Sequence, residues 1–326
     1  MLGFLTKRLG YYVVLLVVAV GLSYALASTS LTPRSYFENR NPRPAATVVD
    51  SQLTQLGIND KTPLPERFGD WASNVAKGDL GKTIKDTSVN EEFGSRIGVS
   101  LRLLLIGTIL GTVLGILFGA WGAIRQYKFS DRAMMIFSFL VMSMPMLLVA
   151  AFIKQGAMWL NNTMGTNIKF IGEGDTTLAD GLFTMLQERA IHLLLPTLAI
   201  VVVTIASYSR YQRSTMLDVL GSDYLRTARA KGLSRSRALM KHGLRTAMIP
   251  MSTFFAYGFL GLFTGATFTE KIFGWHGMGE WLIDSITSND VNSVVAYSLF
   301  AAVMVLLAGF VADILHAALD PRVRNG

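Results

Sequence analysis

Six long apolar runs leave this chain few ways to fold. They occupy residues 9–27, 101–124, 133–152, 192–208, 249–269 and 294–316. A bilayer's hydrocarbon core is about 30 Å thick, and about 20 apolar residues at helical rise cross it. Inside lipid the backbone must satisfy its own hydrogen bonds, which a single run achieves as a helix. The expected fold is an all-α polytopic membrane protein with six transmembrane helices. Composition agrees: of 326 residues, 51% are hydrophobic and only 16% charged.

The first run follows Lys7 and Arg8 and ends at Ala25, Leu26 and Ala27, an arrangement that imitates a cleaved signal peptide. It is longer than a usual signal core and five further runs come after it. Residues 1–27 therefore read as a retained first transmembrane helix. Residues 28–97 are polar and proline-rich and form an external loop region. Within it Asn41, Pro42, Arg43 and Pro44 read as irregular chain, and residues 67–75 as an amphipathic segment carrying Phe68, Trp71 and Val75. Residues 98–326 hold the other five helices.

A formal net charge of +8 raises the question of nucleic acid. The basic residues, however, lie beside apolar runs, where membrane topology accounts for them. Arg125, Lys128 and Arg132 follow the second run, and nine Lys and Arg lie between Arg210 and Arg245. The shorter loops of the opposite side carry only Lys154, Lys169, Arg189 and Lys271. Positive residues stay inside, so both termini are expected in the cytoplasm. No nucleic-acid partner is expected; the lipid bilayer is. The chain has no cysteine, which excludes disulfides and thiolate metal sites.

Several chemistry-bearing patterns fail on inspection. Gly81-Lys82-Thr83 imitates the end of a phosphate-binding loop, but Ala76 stands where that loop needs its first glycine. No His-Glu-x-x-His or nucleophile set is present, so the chain is read as not itself catalytic. His276 is isolated, and no metal site is assigned. An ion-coupled secondary transporter is the alternative of a different class. It would place ionisable groups deep in its spans, whereas Arg102, Asp313 and His316 fall near span ends. Gly107, Gly111, Gly115 and Gly119 recur every four residues and leave one helix face bare. That face reads as a tight packing surface ahead of a sliding one. The third run carries Met134, Met135, Met142, Met144 and Met146, with Pro145 disturbing its hydrogen-bond ladder midway.

A polar island interrupts the apolar pattern at residues 223–232, within a basic loop at 210–247. Ser222 caps a short helix, Ala228 and Ala230 favour its interior, and Gly232 closes it in a left-handed conformation. Ser234 offers a second cap, after which Arg237, Lys241 and Arg245 follow at four-residue spacing. Tyr224, Leu225 and Ala228 share a face, with Arg229 at its edge. The product is a docking surface.

This island resembles the cytoplasmic coupling loop of binding-protein-dependent ABC importer permeases, oligopeptide/dipeptide branch. Asp223, Tyr224, Ala228, Arg229, Ala230, Lys231, Gly232, Leu233, Lys241 and His242 carry the likeness. The broader family's Glu-Ala-Ala slots hold Arg226, Thr227 and Ala228 instead. His192 and Pro196 resemble the entry to that loop. Leu56, Gly57, Trp71 and the segment 78–81 resemble the external loop of the N-terminal-type permease. Glu270, Phe273, Gly277 and Gly279 resemble its external turn, with His276 in the usual proline slot. Leu319, Asp320, Pro321 and Arg322 resemble its closing signature.

The resemblance implies a type I ABC importer permease fold in the bacterial cell membrane. It implies that this chain forms half of a translocation pathway for oligopeptides or dipeptides; permeases for nickel or glutathione share the architecture. The implied partners are a second homologous permease subunit, two ATP-binding subunits and an external substrate-binding protein. The ATPase contact would comprise Asp223, Tyr224, Leu225, Ala228, Arg229, Ala230, Lys231 and Gly232. Tyr224, Leu225 and Ala228 would form its buried face. This chain would hold no cofactor, ATP and Mg being bound by the partner subunits.

Overall fold

The computed structural model describes residues 2–174 and 181–319. Asp320, Pro321 and Arg322 of the closing signature lie outside the described residues, as does the side chain of His242. Among the described residues the regular structure is helical, with one isolated antiparallel bridge between Lys82 and Ser88. Helices are numbered in chain order. The chain divides into two compact units, Met1–Ser100 with His276–Leu307, and Leu101–Trp275 with Ala308–Gly326.

The first unit opens with α1 (Leu2–Ser30). The polar region after it is more helical than its prolines imply. It contains α2 (Pro33–Glu38), α3 (Ala46–Gln55) and α4 (Leu64–Ala76). Pro33 and Pro65 sit in the first turns of α2 and α4, where a missing N–H costs nothing and a fixed φ helps the helix start. Residues that look like breakers therefore act as initiators. The Asn41 to Pro44 stretch does stay irregular, and its Asn41–Pro42 bond is cis.

The core of this unit joins α1 to α3, α4 and the start of the last helix. Tyr24, Leu53, Ile58, Trp71 and Val295 are buried. Tyr24 lies edge-on to Phe68 at 5.3 Å and tilted against Trp71 at 5.5 Å. The polar connections are equally specific. Asp290 begins α14 (Val291–Leu319) by accepting the Ser293 N–H, and it also accepts the Ile84 N–H at 3.0 Å. Burial nonetheless pushes its carboxyl above the usual carboxylate range. Asn292 donates to the carbonyls of Leu56 (2.9 Å) and Lys82 (2.8 Å), tying two distant loops together.

The second unit takes in most of α5 (Val89–Ile124), then α6 (Phe129–Met142), α7 (Met146–Met164), α8 (Leu182–Leu220) and α12 (Ile249–Phe273). Two helices are longer than their apolar runs. α5 begins at Val89, ahead of residue 101, with Glu91 and Glu92 in its first turn favouring the positive helix end. α8 begins at Leu182, ahead of His192, and continues past residue 208. At about 1.5 Å per residue both exceed the thickness of a hydrocarbon core.

The third expected span is not one continuous helix. α6 and α7 meet at Ser143, Met144 and Pro145 with a bend of 108°. Pro145 has no N–H to donate, and its ring disfavours helical geometry at Met144, so the ladder ends and restarts. Among the described residues, four helices are long and apolar enough to cross a membrane: α1 over Arg8–Ser30, α5, α8 and α14. The bent pair makes a fifth if it is one span. α12 covers the run expected at 249–269.

Packing of α5 on α8 follows the glycine repeat. A Cβ on Gly107 would stand 2.8 Å from Ile200, and one on Gly111 would stand 2.6 Å from Thr204. On Gly115 it would meet Tyr208 at 2.6 Å, and on Gly119 the Gln212 side chain at 2.7 Å and the Ser209 carbonyl oxygen at 2.5 Å. Each glycine thus receives a residue of α8 at the same four-residue pitch. The bare face is a contact surface, occupied along its whole length.

Candidate functional site

The polar island folds as α9 (Asp223–Ala230). Its start is Ser222, whose backbone is extended and whose carbonyl accepts the N–H groups of Leu225 and Arg226, each at 3.2 Å. The expected side-chain cap is not made: the Ser222 hydroxyl has no partner and is buried. The end matches expectation. Gly232 adopts φ +91°, its N–H reaches the Arg229 carbonyl at 2.9 Å, and the Leu233 N–H reaches the Ala228 carbonyl at 3.3 Å. This reciprocal pair is a Schellman closure, which needs a left-handed residue that glycine adopts without strain.

Burial sorts the residues of α9 differently from expectation. Leu225, expected on the face offered to a partner, is 2% exposed and packs into the chain's own core. That core contains Ala120 and Ala123 of α5, Met216 of α8, and Leu239 and Ala247 beyond the island; Ala228 packs against it half-buried. Burying a leucine contributes about 1.5–3 kcal/mol, so Leu225 is the anchor. The outward surface consists of Asp223, Tyr224, Arg226, Thr227, Arg229, Ala230 and Lys231, all exposed. Sequence reasoning placed Leu225 with Tyr224 because neighbours on a helix share a broad face. The signal it lacked was the apolar cluster waiting beneath.

Ser234 caps the next helix, accepting the Arg237 N–H on its hydroxyl at 3.4 Å and the Ala238 N–H on its carbonyl at 2.9 Å. This α10 (Arg235–Ala238) gives way to a π-helical turn at Leu239–Gly243 and then α11 (Leu244–Ala247). Arg237, Lys241 and Arg245 all remain exposed along this stretch. Gly243 makes the turn fit: a Cβ there would lie 2.8 Å from Leu239.

A buried ion pair braces α6 against α8. Asp131 of α6 is 1% exposed and binds Arg213 of α8 through two hydrogen bonds, Nη2 to Oδ2 being 2.8 Å. The Tyr127 N–H adds a third at 2.9 Å. Gly122 of α5 leaves room for it, since a Cβ would come within 3.2 Å of Asp131. No sequence pattern marked this pair, because its members are far apart in the chain and each is ordinary alone.

The external-turn residues fall in both units. In the second, Glu270 and Phe273 are buried at the end of α12, where Gly274 adopts φ +62° and the Trp275 N–H returns to the Glu270 carbonyl at 2.8 Å. In the first, Gly277 precedes α13 (Met278–Thr287), Gly279 is buried in its first turn, and the Met278 N–H donates to Ser100 at 2.7 Å. His276, in the proline slot, pairs through Nδ1 with Glu280 at 2.7 Å. Among the described residues no group of three His, Cys, Asp or Glu stands close enough to hold a metal ion.

Long apolar helices and a small anchored helix on a polar loop are the features of a polytopic membrane protein. Residues 77–325 match the family described as binding-protein-dependent transport system inner membrane component, and the chain belongs to that family. It is a multi-pass membrane protein with the type I permease fold of ABC importers. Among curated relatives, it is 49% identical over 325 residues to the oligopeptide transport system permease protein OppB of Mycobacterium tuberculosis, covering 99% of each chain. It is 33% identical over 273 residues to AppB of Bacillus subtilis, an oligopeptide transport system permease protein, covering 83% of each. Over 341 aligned positions it is 33% identical to the di/tripeptide transport system permease protein DppB of Pseudomonas aeruginosa, covering 100% of this chain and 99% of that one.

Proposed function

We propose that this chain forms half of the translocation pathway of an ATP-driven importer of oligopeptides or dipeptides. A second homologous permease, two ATP-hydrolysing subunits and an external substrate-binding protein complete the complex, and ATP with Mg is bound by those ATPase subunits. Both termini lie in the cytoplasm and the chain crosses the membrane six times. The names of relatives that match nearly the whole chain support the peptide reading.

The observation that carries the mechanism is the two-sidedness of α9. Leu225 fixes it to α5 and α8 while Tyr224, Arg229 and Lys231 stand outward. A helix fixed on one face and free on the other transmits force. An ATPase cleft that grips the outer face moves α9, and the cluster around Leu225 passes that motion to α5 and α8. The glycine contacts and the Asp131–Arg213 brace make these helices respond as one body, the element that domain closure tilts.

Uptake of a labelled tripeptide by cells expressing the complete system tests the reading. Uptake should fail when ATP is depleted with ion gradients intact, and persist when gradients are collapsed with ATP present. The opposite pattern would identify an ion-coupled carrier. ATP-dependent uptake of nickel or glutathione, with none of peptide, would overturn the substrate class alone.

A further inference from the structure

The turn that joins α5 to α6 carries a surplus of charge that the importer mechanism leaves unused. α5 is long and apolar enough to cross a membrane, and it ends at Ile124. Arg125, Lys128 and Arg132 follow at once, all exposed. Among the described residues none of the three pairs with a carboxylate. The acid of this turn, Asp131, is buried and already taken up by Arg213. Three uncompensated cations therefore stand where an apolar helix leaves the membrane, and the positive end of α6 adds to them.

Aromatic rings surround these cations. Phe129 is 87% exposed and Tyr127 71%, with Trp121 exposed beside them. Indole and phenol rings favour the headgroup level of a bilayer, where one edge is apolar and the other wet. The geometry is fixed rather than loose. The Arg125 guanidinium lies over the Trp121 ring at 5.2 Å, which holds its plane and leaves its N–H edge for an acceptor. Tyr127 adopts φ +64°, a left-handed conformation that a bulky residue rarely takes, and its N–H is held by Asp131 at 2.9 Å. An acidic protein face would match the cations alone. Leu117 of α5 and Ile136 of α6 are also exposed, so the apolar surfaces of both flanking helices run up to the turn. A lipid satisfies both sets.

We infer that this turn is a binding site for the headgroup of an anionic phospholipid. Arg125, Lys128 and Arg132 hold its phosphate and further negative charge, while Trp121, Tyr127 and Phe129 seat the glycerol and upper acyl region. Asp131 joins the turn to Arg213, so an occupied site also steadies α6 against α8. The inference rests on the residues of this turn and not on the importer reading.

The test is fluorescence quenching of the full chain in lipid nanodiscs of phosphatidylcholine mixed with phosphatidylglycerol, the acyl chains of one lipid at a time carrying bromine. The Trp121 signal is the difference between the unaltered chain and Trp121→Phe. Each cation near an anionic surface is worth about fivefold in lipid preference. Brominated phosphatidylglycerol should therefore quench Trp121 as though enriched about fivefold or more over brominated phosphatidylcholine. Raising salt from about 0.1 M to about 1 M shortens the screening length from about 10 Å to about 3 Å and should remove most of that enrichment. Replacing the three cations together, Arg125→Gln, Lys128→Gln and Arg132→Gln, should bring the two lipids to equality in a chain whose thermal melt is little changed. Equal quenching in the unaltered chain would overturn the site, and that readout needs no cation variant to fold. Enrichment that survives high salt or the triple variant would overturn it too. Loss of an ATPase subunit from the triple variant, with no lipid preference in the unaltered chain, would mean that a protein occupies this turn instead.

Discussion

The two units are held together by different physics. In the second, backbone meets backbone: glycines of α5 receive Ile200, Thr204, Tyr208 and Ser209 of α8 with no room for a Cβ. In the first, charged and polar groups set the geometry. Arg34 bridges Asp50 and Asp60, Lys61 adds a second contact to Asp50 at 2.6 Å, and Asp290 and Asn292 pin loops from the other end of the chain. Helices in lipid gain no hydrophobic drive from meeting one another, so close approach and dispersion must hold them. Chain in water can exchange hydrogen bonds freely, so loops there are fixed by specific partners. The contrast shows how one chain changes its cement with its solvent.

The largest test of this contrast is Gly119→Leu. The obstacle is a carbonyl oxygen 2.5 Å from the new Cβ, which no side-chain rotation removes. The loss should exceed about 3 kcal/mol, the upper end for overpacking, and appear as a collapsed thermal midpoint in detergent. Gly156→Leu, where nothing lies within 4 Å, should behave as the unaltered protein. Equal effects would dissolve the glycine argument.

Next comes Asp131→Asn, which strands Arg213 among buried groups. Breaking a buried pair costs about 3–5 kcal/mol, and the partial exposure of Arg213 puts the lower figure here. Asp131→Leu with Arg213→Met should regain part of it in the same melt. If the single variant is neutral, the brace contributes nothing.

The smallest effect belongs to the first unit and depends on pH. Hydrogen bonds from Lys61 and Arg34 hold Asp50 below the usual carboxylate range, and the bond from Arg34 does the same for Asp60. Their stabilisation is present above the unfolded value near 3.9 and is lost as pH falls through the lower folded values. Asp290 runs the other way. Its raised carboxyl contributes fully below about 3.9 and loses that contribution as pH rises through its folded value. Arg34→Gln should therefore lower the melting temperature modestly at neutral pH and leave it little changed at the acid end, so that the fall below about pH 4 is shallower. A limb of unaltered slope would remove Arg34 from the account.

How much of this was legible in the sequence divides along the same line. The apolar runs located the helices, and the four-residue glycine repeat located the tightest contact, because both are local periodicities. Gly232 was legible since a left-handed closure has a one-residue signature. The bend at Pro145 was visible as a disturbance but not in its size, which depends on what the two halves pack against. The prolines at 33 and 65 were ambiguous, because a proline that breaks a helix and one that starts it differ only in which side of them the helical residues lie. Leu225 and the Asp131–Arg213 pair were illegible for one reason: each depends on a partner brought up by the fold.

The most direct test of the central claim, that the outer face of α9 engages an ATPase, is co-purification from cells expressing the whole system. A Tyr224→Asp, Lys231→Glu variant changes only exposed residues and keeps the Leu225 anchor. The account predicts that the unaltered chain retains an ATP-hydrolysing subunit, and that the variant, equally stable in the melt, loses it together with tripeptide uptake. A variant that retains the ATPase and transports normally would contradict it.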